Sequence, residues 1–127
     1  MSLDRSNHGQ AYLCGRLFAV LEVLQQEASH YSLNRTIRDT YFSSASAKPA
    51  LVFTRLIRLA QAHLNKVKNP GNYQRQIGEI VDKLEGGFPD NLLLKDQGKF
   101  IVGYFQQYQI SGRRLEENEQ TEEKEEK

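Results

Sequence analysis

Apolar residues recur every three or four positions along most of this chain, and this period restricts its fold more than any other feature. The series from residue 10 to residue 29 is Leu13, Leu17, Val20, Leu21, Leu24 and Ala28. Such spacing predicts a helix with one buried face. The most apolar stretch, residues 12–24, is interrupted by Arg16 and Glu22 and is shorter than the roughly 20 apolar residues of a membrane span. We therefore expect a soluble chain with no membrane partner.

Capping residues and prolines predict where the next two helices begin and end. A second helix is expected over residues 35–44, with Asn34 as its N-cap. The small polar run at residues 43–47 predicts a turn. Pro49 suits the first turn of a third helix, which we expect to continue to about residue 67.

Two further helices complete the prediction. Pro70 should end the third helix, a fourth should cover residues 73–84 up to Gly86-Gly87, and a fifth should cover residues 96–110. The fifth helix is expected to bury Phe100, Ile101, Tyr104, Phe105 and Tyr108. Because no segment alternates apolar and polar residues between hairpin turns, the predicted fold class is all-α, a single compact bundle of about five helices.

Charge divides the chain into a basic body and an acidic tail. Residues 1–114 hold 15 Lys and Arg against 9 Asp and Glu, whereas residues 115–127 hold 2 against 7. We interpret residues 1–114 as the helical bundle and residues 115–127 as a tail that is either disordered or a solvated extension of the last helix. The lone Cys14 cannot form an intrachain disulfide, and the polar start resembles no signal peptide, so a reducing, cytoplasmic location is expected.

The positive charge is concentrated between residues 31 and 75, where eight basic side chains accompany one acid, Asp39. These candidate nucleic-acid-binding residues are Arg35, Arg38, Lys48, Arg55, Arg58, Lys66, Lys68 and Arg75. A cluster of this kind attracts polyanions and releases counterions when phosphates bind. Any single member could instead be an ordinary solubilising side chain, but solubilising surfaces usually mix both signs.

Helical geometry predicts a common face for four of these residues. At about 100° per residue, Lys48, Arg55, Arg58 and Lys66 fall within an arc of about 80° on the third helix, opposite its apolar stripe. Leu51 and Leu59 interrupt the basic face, which suggests that part of it contacts another protein or helix.

Patterns typical of catalysis or metal binding are lacking. His8, His30 and His63 have no Cys or carboxylate at ligand spacing. Cys14 is expected to be a buried, inert thiol. Glu22, Glu27, Asp39 and Glu79 are expected at solvated helical positions, and Gly86-Gly87 lacks a phosphate-loop continuation. We therefore predict no enzymatic activity, no metal and no cofactor.

Three stretches in this order resemble a known family. They are the opening helix at residues 15–22 with Gln25-Gln26, the run at residues 36–42 followed by residues 45–49, and the closing segment at residues 97–107. Together they resemble the C-terminal helical region of the large subunit of type I-C CRISPR Cascade complexes. The resemblance covers about residues 7–110.

The resemblance implies a non-enzymatic small subunit that is translated separately from an internal start within the large-subunit gene. Such a subunit would be present in more than one copy, would bridge the backbone subunits and the large subunit, and would help to hold target DNA, especially the displaced strand. Guide RNA would supply sequence specificity, and the protein would contact only the nucleic-acid backbone. The resemblance makes Gly103 and Tyr104 structural residues and assigns no DNA-contacting positions. A pure assembly subunit that does not touch nucleic acid is the alternative.

Overall fold

The computed structural model of the chain describes residues 3–30 and 35–125, with side chains described through residue 112. Its helices are α1 (Gln10–Ala28), α2 (Ile37–Ala47), α3 (Pro49–Leu64), α4 (Pro70–Lys83) and α5 (Leu94–Glu125). Within the described ranges there is no strand, so the prediction of an all-α bundle of five helices is confirmed. Of these helices, none is both long enough and apolar enough to cross a membrane.

The second helix ends later than the sequence predicted. Its N-cap is Thr36, which forms a capping box with Asp39, whereas the predicted cap Asn34 lies outside the described residues. The turn predicted at residues 43–47 is wrong, because these residues are the last turns of α2. Ala45 and Ser46 are buried there, so tertiary packing outweighs the low helix propensity of a serine-rich run.

The bounds of the later helices also differ from their predicted limits. The third helix ends at Leu64 instead of residue 67. Pro70 occupies the first position of α4, so this proline starts a helix as well as preventing the preceding one from continuing. The fifth helix continues through residue 125. Residues 115–125 are therefore helical, while the division into a body and a tail stays a prediction.

The first helix is the centre of the bundle, and α2, α3, α4 and α5 all pack against it. Fifteen of its nineteen residues are buried, so the prediction of a single buried face is wrong. Four surrounding helices leave α1 almost no solvent-facing side. A helix that is apolar nearly all round is expected in such a position, and Arg16 and Glu22 in its central part concealed that property.

Glycines bring α1 and α5 into direct backbone contact. A Cβ atom built on Gly15 would lie 2.0 Å from the carbonyl oxygen of Phe100, and one on Gly103 would lie 2.2 Å from that of Tyr12. Both contacts are with backbone atoms, which cannot move without separating the helices. The structure therefore supports the structural role that the resemblance implied for Gly103.

Aromatic rings fill the space around the centre of α1. Phe18 forms edge-to-face contacts with Phe42, Phe53, Phe100 and Tyr104, with ring centroids 5.5 to 6.4 Å apart, and thereby joins α1 to α2, α3 and α5. Burial of Phe100 and Tyr104 was predicted and is confirmed. Two neighbours on the predicted core face of α5, Ile101 and Phe105, are instead 40% and 41% exposed.

Glu22 is buried, which corrects the expectation that it lies at a solvated position. Its carboxylate accepts hydrogen bonds from the hydroxyl groups of Thr36 and Tyr104. Burial raises the pKa of Glu22, and these hydrogen bonds with the charge of Arg38 offset the shift only in part. Burial and the hydrogen bond to Glu22 also raise the pKa of Tyr104.

The connection between α4 and α5 is attached to the rest of the bundle by backbone hydrogen bonds. The amide of Ala50 donates to the carbonyl of Pro89, and the amide of Leu92 donates to that of Ala47. The ring of Phe88 stacks on Phe53 with centroids 5.0 Å apart. This loop therefore packs against the junction of α2 and α3.

Replacing Gly103 with alanine should destabilise the fold, because the added methyl group forces α1 and α5 apart. We expect the free energy of unfolding to fall by at least about 2 kcal/mol, as for other overpacked cores. The matched control is Gly98→Ala on the same helix, where a Cβ meets no atom within 4 Å. This control should gain about 0.5–1 kcal/mol from helix propensity. Urea unfolding followed by circular dichroism measures both, and equal effects would contradict the close approach.

Glu22 should make stability decrease as the pH rises. Its raised pKa means that the native state binds more protons than the unfolded chain at pH values above the ordinary glutamate value of 4.5. The contribution of Glu22 to the free energy of unfolding is therefore complete below that pH. It is lost as the pH rises through the pKa that Glu22 has in the folded state. In Glu22→Gln this decline should disappear, while the exposed control Glu85→Gln should retain it. Unfolding curves between pH 4 and 8 measure the difference, and parallel profiles for Glu22→Gln and the original chain would refute it.

Candidate nucleic-acid interface

All eight basic side chains nominated from the sequence are exposed in the structure. They are Arg35, Arg38, Lys48, Arg55, Arg58, Lys66, Lys68 and Arg75. Exposure leaves their charges accessible to a phosphate backbone, but it is also the usual state of Lys and Arg. Their positions relative to one another therefore matter more than exposure alone.

Only two of the four residues assigned to the basic face of the third helix belong to that helix. Arg55 and Arg58 lie on the exposed side of α3, one turn apart. Lys48 precedes the first helical residue, with φ −133° and ψ 70°, and Lys66 follows the last. Because a rotation of 100° per residue applies only within a helix, the predicted arc of about 80° does not hold for Lys48 and Lys66.

Two of the eight basic residues lie on opposite parts of the bundle surface around α5. Arg38 on α2 lies over the ring of Phe105, whereas Arg75 on α4 lines a cavity together with Ile110. Phe105 and Ile110 are separated by about 140° around α5. Arg38 and Arg75 therefore lie on different flanks of α5.

Arg38 contributes to the fold as well as to the surface charge. Its guanidinium lies 5.4 Å from the ring centroids of Tyr104 and Phe105 and 5.8 Å from that of Phe42. Its positive charge also lowers the pKa of Glu22. Cation–π contacts of this kind are worth about 0.5–1 kcal/mol at exposed sites. Arg38 thus covers the edge of the aromatic core.

The outer face of α3 combines exposed arginines with exposed leucines. Leu51 is 72% and Leu59 is 40% exposed, and in the sequence they flank Arg55 and Arg58. Neither arginine forms a hydrogen bond or ion pair with the described residues, in contrast to Lys99, whose Nζ lies 3.3 Å from a carboxylate oxygen of Asp96. This face, the residues Leu51, Arg55, Arg58 and Leu59, is hereafter the α3 outer face.

Arg16 was not nominated from the sequence, although it is the most unusual cation among the described residues. It is 3% exposed, and its Nε donates a 3.0 Å hydrogen bond to Oε1 of Gln107. Its Nη1 atom is buried and has no hydrogen-bond partner. A charged residue inside an otherwise apolar helical stretch was the available signal, because it must either be buried or interrupt the core.

The residues considered for other chemistry occupy positions that suit packing. Cys14 is completely buried, as predicted, and burial raises the pKa of its thiol to about 12. His63 is partly buried, and burial together with the charge of Lys66 lowers its pKa. In the described part of the chain, no group of three or more His, Cys, Asp and Glu residues is placed to hold a metal ion.

Removing the Arg38 side chain should weaken the fold, whereas removing Arg55 should not. We expect Arg38→Ala to lower the free energy of unfolding by about 1 kcal/mol, because it loses the ring contacts and an opposite charge near Glu22. The matched control Arg55→Ala should stay within about 0.5 kcal/mol of the original chain. Urea unfolding measures both. If the two variants change the free energy of unfolding by the same amount, the guanidinium of Arg38 does not stabilise the core.

Comparison with known proteins gives the chain a family. A family model described as a CRISPR-associated protein (Cas_Csd1) matches residues 1–111. No curated protein matches the chain. The matched range contains α1 to α4 and the part of α5 that packs on α1, which is nearly the whole sequence of 127 residues. The chain therefore belongs to the Cas_Csd1 family of CRISPR-associated proteins.

Proposed function

We propose that this chain is a non-catalytic small subunit of an RNA-guided CRISPR surveillance complex of type I-C. It stabilises the target-bound R-loop through sequence-independent contacts with the nucleic-acid backbone, and it bridges the other subunits. The observation that carries the proposal is the α3 outer face, where Arg55 and Arg58 are exposed and unpaired in a member of a CRISPR-associated family. The complex would act in the cytoplasm.

Arginine chemistry supports contact with the sugar-phosphate backbone. A guanidinium group can bind a phosphate through two parallel hydrogen bonds, and it is always charged. Arg55 and Arg58 are one helical turn apart, a separation of about 5–6 Å between Cβ atoms. That distance suits neighbouring phosphates on one strand. Sequence specificity would come from guide RNA pairing, as in other RNA-guided complexes.

The proposal assigns no chemical step to this chain. Its one thiol is buried and protonated at neutral pH, and the buried carboxylate of Glu22 is occupied by two hydroxyl donors. Both observations favour structural roles. Partners would be the backbone subunits, the large subunit, further copies of the chain, guide RNA and target DNA.

The exposed leucines favour a second candidate, an assembly subunit that uses the same face to bind protein only. Leu51 and Leu59 give the α3 outer face an apolar component that a pure phosphate-binding surface does not need. Crosslinking the displaced strand in the loaded complex separates the candidates. Adducts on α3 support the nucleic-acid role, and their absence supports the assembly role.

Reversing the charge of the α3 outer face should weaken target binding and reduce its salt dependence. The test uses Arg55→Glu with Arg58→Glu in the complete complex with guide RNA, and it measures target affinity over a salt series. Each phosphate contact that is lost should reduce the magnitude of the slope of log K against log salt by about 0.7–0.9. The double variant should therefore change the slope by about 1.4–1.8.

A charge-matched control is available on α5. The double variant Lys95→Glu with Lys99→Glu changes the net charge by the same amount at exposed positions outside the eight nominated residues. It should leave the slope close to that of the original complex. The proposal fails if Arg55→Glu with Arg58→Glu assembles normally and yet keeps the original affinity and slope.

A further inference from the structure

A cavity between α1, α4 and α5 contains an unusual concentration of positive charge. Its volume is about 140 Å³. The polar residues that line it are Arg5, Arg16, Arg75, Gln76, Glu79 and Gln107. Three arginines and one glutamate give the lining a formal charge of +2. A single water centre needs only about 10–15 Å³, so the cavity has room for a tetrahedral oxyanion.

Arg16 is the buried end of this cavity, and its guanidinium has an unused donor. Of its five N–H groups, the one on Nε is bonded to Gln107, whereas buried Nη1 has no hydrogen-bond partner. Glu79 lines the same cavity but does not form an ion pair with Arg16, although its charge raises the pKa of Arg16. Burial lowers that pKa more strongly than Tyr12 and Glu79 raise it, and Arg5 lowers it further. A buried cation in this state is stabilised by any anion that reaches it.

A chain of hydrogen bonds fixes the polar groups around Arg16. Gln107 accepts from Arg16 and donates through Nε2 to the hydroxyl of Ser111, over 3.1 Å. Ser111 in turn donates to Oε1 of Gln76, over 3.4 Å. Because Oε1 of Gln76 is the acceptor, its amide NH₂ group remains as a donor. These hydrogen bonds thus hold Arg16 and Gln76 in fixed orientations and join α1, α4 and α5.

Arg75 stands at the exposed side of the cavity and is held in place on α4. One of its terminal nitrogens donates a 2.9 Å hydrogen bond to Oδ1 of Asn72. Its remaining N–H groups are available for an anion, as are those of exposed Arg5. An oxyanion would therefore meet donors from the buried and the exposed side at once.

We propose that this cavity is a binding site for a doubly charged phosphate group, with Arg16 at its base and Arg75 and Arg5 at its mouth. Two negative charges match the +2 of the lining, and the four oxygens of a phosphate can accept bonds from several guanidinium groups together. Two sources share this chemistry, a free phosphate ion and the terminal phosphate of a nucleic-acid strand. The site is distinct from the α3 outer face.

The test is a titration of the full chain with inorganic phosphate, in a buffer free of other oxyanions and at constant ionic strength set with chloride. Isothermal titration calorimetry should show saturable 1:1 binding. Arg75→Gln, at an exposed position, should weaken the affinity about tenfold, because it removes a charge-assisted hydrogen bond. Glu79→Gln should strengthen it, because the repelling carboxylate is removed. Arg16→Gln should abolish binding if that variant folds, and the two exposed variants test the site without it.

Lys95→Gln is the control, since it removes one exposed positive charge away from the cavity. The proposal is overturned if phosphate binding does not saturate, or if Lys95→Gln weakens it as much as Arg75→Gln does. Short oligonucleotides with a 5′-phosphate or a 5′-hydroxyl then distinguish the sources. Tighter binding of the phosphorylated strand assigns the site to strand ends, and equal binding assigns it to free phosphate. None of these measurements involves the assembled complex, so the result is independent of the proposed function.

Discussion

The contact of α1 with α5 at Gly15 and Gly103 determines how the rest of the bundle is arranged. Where the two backbones touch there is no space for side chains, so the bulky residues of α1 lie beside this crossing or face the other helices. Phe18 consequently lies among aromatic rings from α2, α3 and α5. The helix α4 packs against the remaining side of α1. The close crossing with α5 and the packing of α2, α3 and α4 together bury α1 almost completely.

Because α1 is buried, its residues Arg16 and Glu22 lie in the interior. Their charges are compensated to different extents. Glu22 accepts two hydroxyl donors, and Arg38 supplies a nearby opposite charge, so its carboxylate is partly compensated within the protein. Arg16 has one hydrogen bond to a neutral amide and a cavity beside it. Desolvation of a charge costs several kcal/mol unless partners replace the water. The difference makes Arg16 the buried group that most favours an external anion.

Much of the fold could be predicted from the sequence, whereas the arrangement of charges could not. Helical period and the positions of Pro49 and Gly86 gave five helices in the correct order, because these signals act locally. The serine-rich end of α2 was missed since its burial depends on contacts with other elements. Arg16 and Glu22 were read as interruptions of an apolar stretch. Their burial depends on the packing of α2, α3, α4 and α5 around α1, and the sequence of α1 alone does not predict that packing.

The nominated basic residues are divided among several elements of the bundle. Arg38 and Arg75 lie on different flanks of α5, and the α3 outer face belongs to a third element. At physiological salt a charge acts over only about 8 Å, so groups of arginines farther apart than this would attract their partners independently. A single groove for one strand would need these groups to be adjacent. In the proposed bridging role, separate groups would let one surface contact nucleic acid while another contacts protein. The exposed leucines beside Arg55 and Arg58 are the apolar component that the alternative assembly role would use.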